Sequence, residues 1–213
     1  MSYKKKDDIR VDLKKLHPWL QEKIKKWLKL CHKHGYYVMI NQGFRSVKEQ
    51  NDLYAKGRTK PGNIVTQVSG NSMGSQHQWG IAFDFGCSAT TTKEIYNSDR
   101  MKKMAKLAKE VGLAWGGDWS GFKDTPHLYL PKWGDTTTKL KRKFKTFENF
   151  KKTWKRTIKK KTRIYATKKM SKKDVKKQVS KDTKVTVLWY SKKGYAKVKY
   201  GSMTGYVYRT RFK

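Results

Sequence analysis

The 213-residue sequence predicts an α+β domain followed by a small all-β, barrel-like domain. Two observations lead to this fold class, and a third indicates where the chain divides. Apolar residues recur at helical spacing in three segments of the first half, around a short strand-like run. Segments of alternating apolar and polar residues fill 184–208. The net charge also changes, from +11 over residues 1–138 to +25 over residues 139–213. The predicted organisation is therefore a first domain at 1–138, a basic connector at 139–161 and a second domain at 162–213.

The first predicted helix carries an apolar stripe that consists of Leu16, Leu20, Ile24, Leu28 and Cys31. Pro18 suits the first turn of a helix, and Gly35 suits its C-terminal cap. An amphipathic stripe of this kind is typical of a helix docked on a core. Residues 36–40 are rich in β-branched and aromatic side chains and predict a strand directly after it.

Two further helices are predicted in the first domain. Ser46 and Glu49 have the spacing of a capping box, which predicts a helix that ends before Gly57. A third apolar stripe starts at Met101 and is closed by Gly112.

The last fifty residues change to strand-like patterns. Residues 184–190, 195–200 and 205–208 alternate like strands, with Gly-containing turns between them. Short strands at this spacing favour a small barrel. Since this part carries no cluster of acids, bases or nucleophiles, its predicted role is binding.

The basic connector holds four aromatic residues, Phe144, Phe147, Phe150 and Trp154. Two interpretations of this stripe stay open. It is either a surface for acidic polymers or membranes, or it packs against a neighbouring domain, which is the commoner fate of aromatic side chains.

Composition excludes several classes of protein. Aromatic residues make up 13% of the chain, too many for a disordered protein. No apolar run approaches the length of a membrane span. Two cysteines, Cys31 and Cys87, are too few for a disulfide framework, and we interpret them as a reduced pair. The net charge of +36 predicts attraction to nucleic acid, acidic lipid or anionic cell-wall polymers.

The first eight residues are basic and lack the apolar core of a signal peptide. We therefore expect the protein to be made in a cytoplasm without a signal peptide. If it works outside the membrane, another route must release it.

His77 and His127 differ from the other three histidines because Gly, Trp and carboxylate residues surround them in the sequence. Together with Asp84 they offer three ligands for a tetrahedral zinc ion, with a fourth position for water. A hydrolase also needs a base, and Asp124 lies three residues before His127. From residue types alone, two structural histidines and surface aspartates explain the same pattern.

The segment from Ser75 to Asp84 reads Ser-x-His-x-x-Gly-x-Ala-x-Asp, and an acid-x-x-His follows at 124–127. Together these motifs resemble the zinc peptidases of peptidoglycan. That family includes D-alanyl-D-alanine carboxypeptidases and dipeptidases, and L-alanyl-D-glutamate endopeptidases. Gln-Gly-Phe-Arg-Ser at 42–46 and Trp-Gly-Gly-Asp-Trp at 115–119 resemble the endopeptidase branch.

The resemblance covers about residues 12–132, and its several motifs occur in the family's order. The fold that we expect for this part is an α+β zinc peptidase domain with an antiparallel sheet at the site and helices around it. Residues 163–213 in turn resemble a bacterial SH3 domain, most closely from Lys184 onward.

The resemblance implies a role for each of seven residues. They are zinc ligation by His77, Asp84 and His127, general-base catalysis by Asp124, stabilisation of charge on the scissile carbonyl by Arg45, and substrate contact by Ser75 and Gln50. Asp118 is the competing candidate for the base. It lies nine residues before His127 and so outside the acid-x-x-His frame.

The function implied is zinc-dependent cleavage of the L-Ala–D-Glu bond in the peptide stem of peptidoglycan, by a monomeric phage endolysin that acts at the cell wall after release. A prophage-encoded autolysin fits equally well. The basic C-terminal part is expected to bind anionic wall polymers through counterion release. The alternatives are a D-alanyl-D-alanine carboxypeptidase and, in another class, a nucleic-acid-binding or wall-binding protein without catalysis.

Overall fold

The computed structural model describes residues 2–213 and forms two compact units. The first ends at Phe147, and the second is Glu148–Lys213. The predicted connector at 139–161 is thus divided between the two units and does not stand apart from them. Its beginning belongs to the first unit, where Leu140 is fully buried, and its end forms a strand of the second unit.

The first unit is an α+β domain, as predicted. In chain order its elements are β1 (Asp8–Ile9), α1 (Pro18–Lys33), β2 (Val38–Gln42), α2 (Val47–Ala55), β3 (Ala82–Cys87), α3 (Thr92–Ile95), α4 (Ser98–Glu110), β4 (Ala114–Trp115), β5 (His127–Tyr129) and α5 (Thr138–Phe144). The helix that follows, α6 (Phe147–Lys152), begins at the division between the units.

The sheet of the first unit has the strand order β1-β2-β3-β5-β4. Its pairs are antiparallel, as predicted, except that the two-residue strand β1 runs parallel to β2. The central pair, β3 with β5, sets Asp84 directly opposite His127. This register brings two residues 43 positions apart in the sequence to the same place.

The stripe on α1 packs into the core of the first unit, where Leu20, Ile24 and Cys31 are fully buried. The sequence pattern pointed to Leu28, but its neighbour Trp27 is the fully buried residue. Trp27 Nε1 donates a hydrogen bond to the Met104 carbonyl at 2.8 Å, which ties α1 to α4. The contact with α4 therefore decides which side chain of this turn faces inward.

The helix ends follow the predicted signals. Ser46 and Glu49 form a complete capping box at the start of α2. Gly35 and Gly112 follow α1 and α4 with φ values of 72° and 77°, a backbone conformation that glycine adopts without a steric penalty.

The second unit contains six strands, β6 (Lys155–Thr157), β7 (Thr162–Tyr165), β8 (Val175–Val179), β9 (Lys184–Tyr190), β10 (Tyr195–Tyr200) and β11 (Met203–Tyr208). They form one antiparallel sheet in the order β6-β9-β10-β11-β7-β8. Strands β9 and β10 have the predicted bounds. The next strand starts earlier than predicted, at Met203, because Met203 pairs with Tyr200 across a shorter turn.

The core of the second unit is built from inward-facing side chains of this sheet. It consists of Ile158, Ile164, Val179, Val185, Val187, Ala196, Val198 and Val207.

Cys31 and Cys87 are buried free thiols. Burial raises the pKa of Cys31 to about 12. Among residues 2–213, none of the helices combines the length and the apolar character that crossing a bilayer requires.

Candidate active site

Three elements of the first unit bring His77, Asp84 and His127 together. His77 lies in a short 3-10 turn, Gln76–Trp79, that precedes β3. Asp84 is in the middle of β3, and His127 is the first residue of β5. The β3–β5 register aligns the last two, and the turn folds His77 back over them.

The ligand atoms of these residues converge on one point. Asp84 Oδ1 lies 3.2 Å from His77 Nε2 and 3.2 Å from His127 Nδ1, and all three atoms lie within 4.8 Å of one another. Both histidines are buried, at 3% and 4% exposure. This is the one group within residues 2–213 that has the geometry to hold a metal ion.

The remaining nitrogen of each imidazole already has a partner. His77 Nδ1 donates to the Gly43 carbonyl at 2.8 Å, which leaves Nε2 to face Asp84. His127 Nε2 donates to Gln76 Oε1 at 2.7 Å, which leaves Nδ1 to face Asp84. Second-shell hydrogen bonds of this kind orient metal-ligating histidines.

The pKa values of His77 and Asp84 are both shifted in the direction that favours binding of a cation. Burial lowers the pKa of His77, so its imidazole is neutral. For Asp84, burial acts to raise the pKa, but the two imidazoles that surround its carboxylate outweigh burial and hold the pKa well below its usual range. Two imidazoles and one carboxylate are a donor set found in catalytic zinc sites, so the residues present fit zinc.

Asp124 lies beside the triad, with its Oδ2 3.9 Å from His127 Nδ1. Burial raises its pKa, and the negative charge of Asp84 raises it further. The backbone of Gly116 holds this segment: the Asp124 amide donates to the Gly116 carbonyl at 3.1 Å. A Cβ at Gly116 would lie 2.6 Å from the Asp124 carbonyl oxygen and 3.0 Å from His127 Cβ, so only glycine fits there.

Asp118, the competing candidate for the base, lies outside this cluster. Its carboxylate is half exposed and pairs with Lys109 Nζ at 2.6 Å. Its position supports Asp124 as the acid that belongs to the site.

Arg45 lies on the opposite side of Asp84, with Nη2 3.5 Å from Asp84 Oδ2. Its Nη1 donates to Gln50 Oε1 at 2.8 Å. Gln50 is fully buried, and its amide nitrogen donates to Thr66 Oγ1 and the Val68 carbonyl. Burial lowers the pKa of Arg45, opposed by Asp84 and Asp124. Gln50 therefore holds the arginine side chain in place, and its contact with substrate, implied by the resemblance, stays a prediction.

Ser75, the other residue predicted to contact substrate, precedes the 3-10 turn of His77 and is half-buried. Its backbone amide lies 3.4 Å from Gln78 Oε1. Ser75 is two residues from His77 in the sequence, and its contact with substrate stays a prediction. A cleft of about 450 Å³ opens next to Arg45, lined by Asn41, Gly43 and Phe44 among others.

Sequence reasoning missed two contributors to the site. Gln76 contacts His127, although it is adjacent in sequence to the other histidine. Trp119 packs its ring 5.3 Å from that of His127 and donates to Tyr129 Oη at 3.1 Å. Nothing in the local sequence signals the Gln76 contact, because it spans 51 positions. Trp119, by contrast, lies in the Trp-Gly-Gly-Asp-Trp motif.

The chain is similar to known proteins. The family profile described as VanY, D-alanyl-D-alanine carboxypeptidase, matches residues 13–124. The peptidoglycan L-alanyl-D-glutamate endopeptidase CwlK of Bacillus subtilis is 39% identical over 125 residues, which are 54% of this chain and 73% of that protein.

Two further similarities were found. An L-alanyl-D-glutamate peptidase of Listeria phage A118 is 44% identical over 80 residues, which are 36% of this chain and 28% of the phage protein. Among solved structures, the L-Ala D-Glu endopeptidase ChiX of Serratia marcescens matches with 22% identity and a TM-score of 0.43, over 55% of this chain and 82% of that chain.

Proposed function

The chain belongs to the VanY family of D-alanyl-D-alanine carboxypeptidases, and from that premise we propose that it is a zinc-dependent endopeptidase that cleaves the L-Ala–D-Glu bond of the peptidoglycan stem. The observation that carries the proposal is the convergence of His77, Asp84 and His127. The choice of bond is supported by the names of the two curated relatives, both L-alanyl-D-glutamate peptidases. The family description instead favours removal of terminal D-Ala, which is the alternative to be tested.

In this proposal His77 Nε2, Asp84 and His127 Nδ1 hold the metal ion. Zinc, when bound, supplies Lewis-acid activation of water and of a carbonyl oxygen. Both histidines are buried, and the ring of Trp119 packs against that of His127. Electrostatic interactions between buried groups are stronger than those between groups in water.

Asp124 is the general base. Its carboxylate accepts a proton from the attacking water and delivers it to the nitrogen of the leaving amine. A carboxylate with a raised pKa suits this exchange, because it holds the proton better than an exposed aspartate and still releases it.

Arg45 is the electrostatic stabiliser of the scissile carbonyl. Its guanidinium is fixed by Gln50 and by Asp84 before substrate arrives. A cation that is already in place costs no reorganisation when negative charge develops on the carbonyl oxygen.

The second unit is proposed to be an SH3-like module that binds anionic polymers of the cell wall. It carries 23 Lys and Arg residues against three acidic ones. Three rings on neighbouring strands, Trp189, Tyr195 and Tyr206, form a half-buried cluster with centroids 5.8 to 6.4 Å apart, and Lys168 lies near Trp189. Aromatic rings beside lysines suit a polymer that carries both sugar and phosphate groups.

The biological role that we propose is that of an endolysin that is made in the host cytoplasm and acts on the cell wall after release. The similarity to a phage peptidase supports this role.

Product analysis on purified peptidoglycan tests the proposed reaction. The protein is stripped of metal, reloaded with zinc and incubated with wall fragments, and new amino termini and free amino acids are identified. We expect new D-Glu amino termini in the zinc-loaded sample alone. Release of free D-Ala without new D-Glu termini would replace the endopeptidase with the carboxypeptidase.

A further inference from the structure

Gln76 makes a contact that the proposed chemistry does not use. Its side chain is 5% exposed, and its backbone is adjacent to His77. Its side-chain oxygen nevertheless lies 2.7 Å from Nε2 of the other histidine, His127. The residue next to one ligand therefore holds the second one.

The orientation of the Gln76 amide is fixed by its other partners. Its Nε2 lies 3.3 Å from the carbonyl oxygen of Gly134 and 3.2 Å from that of Asp135. Backbone carbonyls only accept hydrogen bonds, so the amide NH₂ faces them and the oxygen faces His127. Since that oxygen also only accepts, the proton between the two side chains belongs to His127 Nε2.

This proton decides which nitrogen of His127 remains available. A neutral imidazole has one N–H and one lone pair, so protonation at Nε2 leaves the lone pair on Nδ1. Nδ1 is the atom that faces Asp84 Oδ1 at 3.2 Å. His77 has the reverse arrangement, with Nδ1 held by the Gly43 carbonyl and Nε2 facing Asp84.

The segment that anchors Gln76 also supports the ring of His127 by a second route. The carboxylate of Asp135 accepts a hydrogen bond from Tyr129 Oη, and the Tyr129 ring lies 5.6 Å from that of His127. Residues 134–135 thus position His127 through Gln76 and through Tyr129.

We propose that Gln76 is a positioning residue that fixes the tautomer and ring orientation of His127 and thereby sets the affinity of the first unit for zinc. The proposal rests on the proposed function, because it requires the triad to hold zinc. Unlike the backbone carbonyl that orients His77, this partner is a side chain and can be replaced.

The test compares Gln76→Met with Gln78→Met in the full chain. Gln78 is a matched control: it is 1% exposed, belongs to the same turn, and its amide bonds to the Gly70 carbonyl and Met73 Sδ. Both changes remove a buried amide of the same shape. The zinc dissociation constant of each protein is measured by competition with a chelator.

We expect Gln76→Met to bind zinc about 10- to 100-fold more weakly than wild type, the usual effect of losing a second-shell partner. Gln78→Met should stay within about threefold of wild type, because the amide of Gln78 hydrogen-bonds to Gly70 and Met73 and to neither histidine. Equal zinc affinity in Gln76→Met and wild type would overturn the role of Gln76 while leaving the proposed function intact. Failure of wild type itself to bind zinc would overturn both.

A second measurement tests the tautomer of His127 directly, and it does not require Gln76→Met to fold. The ¹⁵N spectrum of the histidine side chains is recorded for the zinc-loaded wild-type protein. We expect His127 to retain a proton on Nε2 and bind through Nδ1, and His77 to show the reverse. Attachment of His127 through Nε2 would contradict the proposal.

Discussion

The two units of this chain use charge in opposite ways. In the first unit a few buried side chains form the candidate active site, and ion pairs or hydrogen bonds with neighbouring side chains hold them in place. In the second unit 23 basic residues meet three acidic ones, and most of the lysines are exposed. Metal binding requires ligand atoms that are positioned to within tenths of an ångström. Attraction to a polyanion depends instead on the number of cationic side chains near it. Single substitutions should therefore disable the first unit, and only combined substitutions should alter the second.

The largest effect is expected from Asp124→Asn. The amide keeps the shape of the side chain but cannot take a proton, so turnover of wall peptides should fall by about 10²- to 10⁴-fold. Zinc content should stay unchanged, because Asp124 is not one of the three converging residues. Rates on a soluble stem peptide and metal analysis of the same sample check both statements.

Asp118→Asn is the matched control for this change, since Asp118 is half exposed and pairs with Lys109. Its rate should stay within about twofold of wild type, as exposed ion pairs contribute little. If Asp118→Asn lost activity and Asp124→Asn kept it, the assignment of the base would be reversed.

Gly116→Ala should have the next largest effect. The added Cβ would meet the Asp124 carbonyl oxygen at 2.6 Å and His127 Cβ at 3.0 Å, so the segment that bears the base must move. A displacement of about 1 Å can cost roughly 10²-fold in rate. Gly121 lies in the same loop, and no atom lies within 4 Å of a Cβ added there. Gly121→Ala should therefore leave the rate nearly unchanged. Similar rates for the two variants would show that the close approach at Gly116 is not needed.

The second unit should respond to the combined change of four exposed lysines, Lys169, Lys172, Lys173 and Lys177, to Gln. Binding to a phosphate-rich wall polymer should weaken about tenfold at 150 mM salt. The slope of log affinity against log salt should flatten by up to about one for each lysine that contacts a phosphate. The rate on a soluble stem peptide is the internal control and should not change. Unaltered polymer binding would count against charge as the basis of recognition.

The smallest effect concerns stability and pH. Burial, with help from the charge of Lys132, lowers the pKa of His17 to about 3. The unfolded chain, with a His pKa near 6.5, therefore binds one more proton than the folded chain between these values. The stability due to neutral His17 is fully present above about pH 6.5 and is lost as the pH falls towards 3.

In His17→Asn the side chain can still cap α1, where His17 Nδ1 now accepts from the Trp19 amide at 3.1 Å, but it does not titrate. Urea unfolding followed by Trp fluorescence from pH 3.5 to 7 should give a flatter profile for the variant. Profiles of equal slope would exclude His17 as a source of acid sensitivity.

Local patterns predicted much of this molecule, and pairings between distant residues account for what they missed. The capping box at Ser46, the glycine after α4 and the alternation of β9 and β10 are short-range signals, and each was observed. The burial of Trp27 and the split of the basic connector depend on which element packs beside them.

The candidate site shows the same contrast between short-range sequence signals and contacts that only the fold creates. The metal-binding residues lie within recognisable motifs, so their types and order were predictable. The hydrogen bond from Arg45 to Gln50 spans only five residues and still escaped prediction, because Arg45 precedes α2 and a guanidinium there has many alternative acceptors. The Gln76–His127 bond depends on the β3–β5 register and became visible only in the structure.

The central claim is that the triad holds a zinc ion which wall cleavage requires, and zinc titration of the metal-free protein tests it most directly. We predict that one equivalent binds per chain and that lytic activity rises in parallel, reaching its plateau at that equivalent. Asp84→Asn should neither bind that equivalent tightly nor gain activity. Full activity of the metal-free protein, or activation of Asp84→Asn equal to wild type, would contradict the claim.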